Sequence, residues 1–242
     1  MKMKAIYHSG RKESVFYEQD IKTPFPLRAL SCISLKNRIE MKRKGIKNLI
    51  FDFGGVLINL DRQRCIENFR KLGLEKVDEL LGMYSQQGIF MQHEKGLISS
   101  AQFRDSIRGQ ITQEIDAAWN SFLVDIPRFK LDMLLKLREK YVVYLLSNTN
   151  EIHWKWACEH AFPYRGFRVE DYFEKMYLSY EMKMVKPAEE IFRGVLDDAN
   201  LDPRETFFID DSEANCQGAQ ALGISTYTVK PGEDWRPLFA EN

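Results

Sequence analysis

Three short apolar runs in this chain end in polar residues that form turns, and that repeated design restricts the fold more than any other feature. Ile46-Lys47-Asn48-Leu49-Ile50-Phe51 ends in Asp52 and turns through Phe53-Gly54-Gly55-Val56-Leu57. Tyr141-Val142-Val143-Tyr144-Leu145-Leu146 ends in Ser147-Asn148-Thr149-Asn150, and Thr206-Phe207-Phe208-Ile209 ends in Asp210-Asp211-Ser212. A strand that ends in a carboxylate and turns on glycines puts that carboxylate at the mouth of a sheet. From residue 127 the apolar spacing alternates between helical and extended. A helix carrying Leu131, Leu134, Leu135 and Leu137 precedes the strand 141–146. Polar and aromatic residues 150–173 follow, then a short strand near Met176-Tyr177-Leu178. Helix 188–199, strand 206–209, a helix over 213–222 stopped by Gly223, and strand 224–229 complete the series. Strands alternating with helices predict an α/β fold with a mostly parallel sheet and helices on both faces. Ligands of such sheets bind at the carboxyl ends of the strands. Asp52, Ser147, Asp210 and Asp211 are therefore expected to converge.

The segment between the first strand and residue 127 reads differently. Ile66, Phe69 and Leu72 recur at spacings of three within 61–72; Val77, Leu80, Leu81 and Tyr84 follow, then Phe103, Ile107 and Ile111, then Trp119, Phe122 and Leu123. Ser99 and Ser100 precede the third group as an N-cap. No strand pattern interrupts these periods, so 59–126 is expected to be a small α-helical cap inserted into a core formed by 46–58 and 127–242. Residues 1–40 mix Lys and Arg with scattered aromatics, Pro24 and Pro26, and show no sustained period. They read as an extension outside the fold, with Met41 a natural start. A basic targeting arm is the rival reading, against which Glu13, Glu18 and Asp20 count.

The formal net charge is +0, which removes the long-range attraction that nucleic acid or an anionic membrane would need. No apolar run reaches the ~18 residues of a membrane span, and no signal peptide is visible. Cys32, Cys65, Cys158 and Cys216 are widely spaced with no CxxC, which argues against a disulfide framework and a zinc site. Reduced thiols in a cytoplasmic monomer or homodimer are the expectation.

The strand-end residues carry chemistry in combination. A carboxylate such as Asp52 can attack phosphorus and split one hard hydrolysis into two steps, although a lone Asp here would equally serve as a turn cap. Adjacent Asp210 and Asp211 repel unless a cation lies beside them. Mg²⁺, which wants hard oxygens, suits them, while capping of the helix at 213 is the plainer alternative. Ser147 and Asn148 offer a hydroxyl and an amide or backbone N–H to phosphate oxygens, or simply form a turn. Lys186, followed by Pro187, reads as the start of a helix and would bring a positive charge to the same mouth, with Lys183 as the competing lysine.

Together, the order Asp52, Ser147-Asn148, Lys186-Pro187, Asp210-Asp211 resembles the haloacid dehalogenase superfamily of hydrolases over roughly residues 46–230, with its Rossmann-like sheet. Leu146-Ser147-Asn148-Thr149-Asn150, Met184-Val185-Lys186-Pro187 and Phe208-Ile209-Asp210-Asp211 look most like its sugar-phosphatase branch, to which alpha-D-glucose-1-phosphate phosphatases are similar. The resemblance implies a Mg²⁺-dependent phosphatase of a small phosphorylated metabolite, such as a sugar phosphate. It makes Asp52 the nucleophile, and Lys186 the group that neutralises the phosphate and orients Asp52. Ser147 and Asn148 become phosphate ligands. The Asp52 carboxylate, the Gly54 carbonyl, Asp211 and its partner Asp210 go to the metal, with Asn215 in place of a third acid, where it would hold waters on the metal.

Gly54 departs from the usual pattern of that superfamily, which has a second Asp two residues after the nucleophile as general acid and base. The side chains of His93, Glu94 and Lys95, read as a polar turn before Gly96, are candidates to supply the missing proton, or form a solvated loop. His153, Trp154 and Trp156 are candidates to stack on a sugar or to join the core. Gly54 also admits a 2-haloacid dehalogenase, which needs no metal and against which the acidic pair speaks. It also admits a catalytically impaired relative that binds a phosphate ligand or a protein, against which the retention of Asp52, Lys186 and both acids counts.

Overall fold

The computed structural model describes residues 45–107 and 112–239. The proposed extension 1–40, Cys32, Met41 and Ile111 lie outside the described residues. Five strands form one sheet in the order β3-β2-β1-β4-β5, and every pairing is parallel. They are β1 (Asn48–Phe51), β2 (Val142–Ser147), β3 (Lys175–Leu178), β4 (Thr206–Asp210) and β5 (Ser225–Thr228). The runs around Asn48, Val142 and Thr206 are thus neighbours, as the repeated design predicts. Successive side chains of a strand point to opposite faces, and the core divides accordingly. Leu49, Phe51, Val143, Leu145, Phe207 and Ile209 are buried on one face. Ile50, Tyr144, Leu146 and Phe208 are buried on the other, against Ile191, Phe192 and Val195.

The helices that cover the sheet are amphipathic for the same reason. Between β1 and β2 come α1 (Arg62–Lys71), α2 (Val77–Leu80), α3 (Gly88–Glu94), α4 (Ser100–Ser106), α5 (Thr112–Asn120) and α6 (Arg128–Arg138). Asp61 caps α1 by accepting from Arg64 N–H at 2.9 Å. Ser99 and Gln102 form a reciprocal capping box at α4, which fixes where that helix begins. An aromatic cluster fills the interior of this segment: Phe90 lies 5.3 Å from Phe69, 5.2 Å from Phe103 and 4.9 Å from Trp119, measured between ring centres. The cluster is continuous with the core beneath the Leu49 and Phe51 face of the sheet.

After β2 the chain departs from the expectation for 150–173. That stretch forms α7 (Glu151–Trp156), a π-helical turn (Ala157–Ala161) and α8 (Val169–Tyr172). The π turn, closed by Phe162 N–H to Ala157 C=O at 3.0 Å, interrupts the 3.6-residue repeat, so no single period shows in the sequence. Trp154 is part of the core, edge-on to Phe53 and Phe162. The remaining helices are α9 (Ser179–Met182), α10 (Glu189–Asp198) and α11 (Glu213–Gln220). Among the described residues no helix is long and apolar enough to cross a membrane.

Candidate active site

The sheet register sets the site. Phe51 pairs with Leu145 on one side and Ile209 on the other, so the next residues, Asp52, Leu146 and Asp210, lie at one level, where β1 has ended and β4 ends. Asp52 N–H still donates to Ile209 C=O at 2.8 Å, which holds it against β4. The order in which strands are added reverses between β1 and β4, which is where open α/β sheets bind ligands. The loop after Asp52 is tied down by its own backbone: Leu57 and Ile58 N–H both donate to Phe53 C=O at 2.9 Å. Two residues with no motif signature hold it from outside. Buried Lys130 donates to Val56 C=O at 2.6 Å, and Trp235 Nε1–H donates to the same oxygen at 3.0 Å. Nothing local in the sequence marks them, because their partners are backbone oxygens far away in the chain.

Lys186 is the centre of the charge arrangement. Its ammonium donates to Asp52 Oδ1 at 2.7 Å, Asp210 Oδ2 at 2.6 Å and Leu146 C=O at 2.9 Å, so all three of its protons are placed. Burial works against its charge, but Asp210 and Asp52 outweigh burial and hold it protonated, above the ordinary lysine range. Lys183 is not the site lysine, since its ammonium donates to Gly96 C=O at 2.5 Å.

The expected helix start at Lys186-Pro187 is not found. The Lys186–Pro187 peptide is cis, and α10 begins at Glu189 with Ala188 before it. The backbone of Lys186 is occupied instead by Asn148. Asn148 Nδ2 donates to Lys186 C=O and its Oδ1 accepts from Lys186 N–H, both at 2.9 Å. This narrows the role expected for Asn148: its side-chain amide is spent in holding the lysine, which leaves the backbone N–H as its donor for phosphate. Ser147, the last residue of β2, is buried and does line the pocket beside Asp52.

The two acids of the pair separate in function. Asp210 is fully buried. Its oxygens accept from Lys186, from Ser212 N–H at 2.8 Å and from Asn215 Nδ2 at 2.9 and 3.1 Å. Asn215 therefore locks Asp210 and is not free to hold metal waters through that nitrogen. Asp211 faces the pocket. Its carboxylate lies over Gly55, where a Cβ would be 2.1 Å from Asp211 Oδ2; Gly55 also has φ +71°, a conformation that suits glycine.

One oxygen each of Asp52, Asp210 and Asp211 lies within 4.8 Å of the others, a grouping able to hold a metal ion. The chemistry of the donors fits a hard divalent cation. Three carboxylates face one lysine, leaving an excess of two negative charges that Mg²⁺ would balance. Without a cation, burial chiefly, with Asp210 and Asp211 adding, pushes Asp52 up to about 8 despite Lys186. Burial and Asp210 likewise raise Asp211 to about 6.

The pocket over these groups encloses about 620 Å³, solvent at its mouth included. Met83, Tyr84, Gln86 and Glu94 of the helical segment are part of its wall. Leu60 fills the place of the absent side chain at Gly54, where a Cβ would lie 3.3 Å from Leu60 Cδ1.

His93, Glu94 and Lys95 are not a turn: His93 and Glu94 end α3, and Lys95 follows as its cap. His93 turns into the core, stacks on Phe103 at 4.6 Å and lies 3.1 Å from Ser100 Oγ, which donates to Glu151. Glu94 reaches the pocket; burial pushes it up to about 8. His153 also lines the pocket, its Nε2 3.0 Å from Trp119 C=O. Burial holds it down at about 3, so its ring is neutral.

A parallel sheet with a carboxylate, a buried lysine and an acidic pair at one strand end is an arrangement suited to hydrolysis. The model of the haloacid dehalogenase-like hydrolases matches residues 46–223, and the chain belongs to that family. It is 41% identical over 196 residues to a D-ribitol-5-phosphate phosphatase of Bacteroides thetaiotaomicron, covering 79% of this chain and 95% of that protein. A family enzyme of the same organism, crystallised with magnesium and inorganic phosphate, is 68% identical with a TM-score of 0.77, over 81% of this chain and 100% of that one. A predicted HAD-like hydrolase from Porphyromonas gingivalis is 36% identical with a TM-score of 0.76, over 81% of this chain and 96% of that one.

Proposed function

We propose that this chain is a Mg²⁺-dependent phosphatase of small phosphorylated metabolites, with sugar-alcohol and sugar phosphates as the substrate class. The observation that carries this reading is the convergence of Asp52 with Lys186 at 2.7 Å and with Asp210 and Asp211 at one strand end. The named activity of the D-ribitol-5-phosphate phosphatase relative supports the substrate class. The magnesium and phosphate held by the family enzyme at 68% identity support the cofactor.

Asp52 attacks the phosphorus in line with the departing alcohol and becomes an aspartyl phosphate; water then cleaves that acyl phosphate and restores the carboxylate. Lys186 orients the attacking carboxylate and offsets charge on the transferred group, with Ser147 donating to a phosphate oxygen. Asp52, Asp211 and the Gly54 carbonyl would hold Mg²⁺, which would supply positive charge to the phosphoryl oxygens. Asp210 keeps Lys186 in place and adds to the field at the metal. The segment 59–126 acts as a cap that closes over the leaving group and excludes water during transfer.

The zero net charge supports a small-molecule partner rather than nucleic acid or membrane. The free thiols of Cys65, Cys158 and Cys216 support a cytoplasmic location. A monomer or homodimer suffices, because every group invoked comes from one chain.

The test is phosphate release from sugar phosphates, sugar-alcohol phosphates and p-nitrophenyl phosphate, each with Mg²⁺, with EDTA, and with Asp52→Asn. Turnover is expected only with Mg²⁺ and an intact Asp52. Undiminished release by Asp52→Asn would remove the nucleophile assignment. Halide release from 2-haloacids with no phosphate release would replace the phosphatase by a dehalogenase.

A further inference from the structure

We infer that Glu94, on the helical segment, is the acid that protonates the leaving oxygen and later takes a proton from the attacking water, in place of the side chain absent at Gly54. The inference rests on the phosphatase reading and adds to it a catalytic residue. Its first support is position. Glu94 is 8% exposed and lines the same pocket as Asp52, Lys186 and Asp211. Among the described residues its carboxyl has no hydrogen-bond or ion-pair partner, although its neighbour His93 is engaged with Ser100 and Phe103. A buried carboxyl without a protein partner is costly, and a substrate oxygen or a water is the partner the pocket can offer.

Its second support is rigidity. Ser179 Oγ is 2.7 Å from Glu94 C=O and 2.9 Å from Thr149 C=O, and it accepts from Thr149 N–H at 2.9 Å. Glu94 is thereby pinned to the loop that follows Ser147.

Its third support is elimination. Asp52 is the nucleophile, Asp211 faces the metal and Lys186 has placed all three protons. His153 is neutral and its Nε2 faces Trp119 C=O, so Nε2 carries the proton and Nδ1 has none to give. Tyr84 is the remaining titratable group on the wall, and it is half exposed at the rim. Glu94 is held protonated at neutral pH by burial, which is the state a general acid needs.

The two half-reactions balance. As the Asp52 oxygen bonds to phosphorus and the ester P–O bond breaks, the Glu94 proton passes to the departing oxygen, giving a neutral alcohol and a Glu94 carboxylate. Water then attacks phosphorus, gives one proton to Glu94 and releases inorganic phosphate from Asp52.

The experiment is a leaving-group series: kcat/KM with Mg²⁺ for p-nitrophenyl phosphate, phenyl phosphate and ribitol 5-phosphate, in the wild type, Glu94→Gln, Glu94→Asp and Tyr84→Phe. An acid matters most where the leaving alcohol is poor. Glu94→Gln is expected to lose ~10²-fold or more on ribitol 5-phosphate, within the usual range for general acid catalysis, and less than ~5-fold on p-nitrophenyl phosphate. Glu94→Asp should keep a slope against leaving-group pKa near that of the wild type, and Tyr84→Phe should leave it unchanged. A partly unfolded preparation lowers every ester by one factor and cannot change the slope. Equal loss on all three esters in Glu94→Gln, or a steeper slope in Tyr84→Phe, would overturn the inference. Absence of wild-type turnover on any ester would instead reject the phosphatase reading beneath it.

Discussion

Glu94→Gln has a second consequence, in stability, that does not depend on catalysis. Glu94 has an ordinary value of 4.5 when the chain is unfolded and is pushed to about 8 by burial in the folded protein. Between those values the folded state keeps a proton that the unfolded state has lost, so stability falls as pH rises through this window. Below the lower value both states are protonated and the effect vanishes. Each tenfold difference in proton affinity between the two states corresponds to about 1.4 kcal/mol. Taken from pH 5 to pH 8, where the unfolded glutamate is already mostly ionised at the start, the wild type loses about 3 kcal/mol through this one group. Glutamine has the same shape and does not titrate, so the variant is spared that loss. Asp52 and Asp211 are also raised and contribute a similar slope, but they do so in both proteins and cancel in the difference. The assay is thermal unfolding of both proteins in EDTA at pH 5, 6.5 and 8. Glu94→Gln should gain roughly 6–12 °C on the wild type between the two extremes, taking a few degrees per kcal/mol for a chain of this size. A melting-temperature difference that stays constant with pH would mean that the Glu94 carboxyl is hydrated or ionised in the folded protein, and the reasoning from burial would fail.

Two further substitutions test how the site is held. Asn148→Ala removes both hydrogen bonds to the Lys186 backbone, which should cost ~1–3 kcal/mol in chemical denaturation and lower kcat more than it raises KM, because the lysine loses its fixed position. Equal activity would show that Asp52, Asp210 and the Leu146 carbonyl hold the ammonium without the Asn148 clamp. Gly55→Ala places a Cβ 2.1 Å from Asp211 Oδ2 at a φ of +71°. It should cost at least ~1–2 kcal/mol in backbone strain alone. It should also weaken Mg²⁺ binding by ~10-fold or more, the equivalent of ~1.4 kcal/mol, as measured by titration calorimetry. Unchanged Mg²⁺ affinity would remove Asp211 from the metal site.

The strands and the convergence of their ends were legible because the sheet is parallel and buried on both faces. Apolar runs such as Val142–Leu146 and Thr206–Ile209 then stand out, and each must deliver its last residue to the same edge. The acids and Lys186 came with them. What could not be read was the partner of each group. Asn148 and Asn215 look like phosphate and water ligands when only residue type is known. In the folded chain the Asn148 amide and the Asn215 Nδ2 are consumed by positioning, one on the Lys186 backbone and one on Asp210. Lys130 and Trp235 were illegible for a related reason: they act on a carbonyl 74 and 179 residues away, and a backbone oxygen leaves no signature in a sequence. The turn reading of 93–95 failed because Lys95-Gly96 looks like a loop, whereas the helix runs through Glu94 and the glycine only ends it.

The position of Glu94 changes what the missing side chain at Gly54 means. With a second aspartate on the loop after the nucleophile, acid and nucleophile would belong to one rigid turn, and proton transfer would be available to any ester that reached Asp52. Here that space is occupied by Leu60, so restoring an aspartate at position 54 would also require Leu60 to move. The acid comes from α3, on the part of the pocket wall that the helical segment contributes. Proton delivery then requires the leaving group to sit against that wall, between Glu94 and the transferred phosphoryl. An ester with a good leaving group reacts without this contact, and a poor one reacts only when its alcohol is seated. Recognition of the alcohol and catalysis of its departure become the same interaction, so discrimination is expressed in the transition state rather than in ground-state binding.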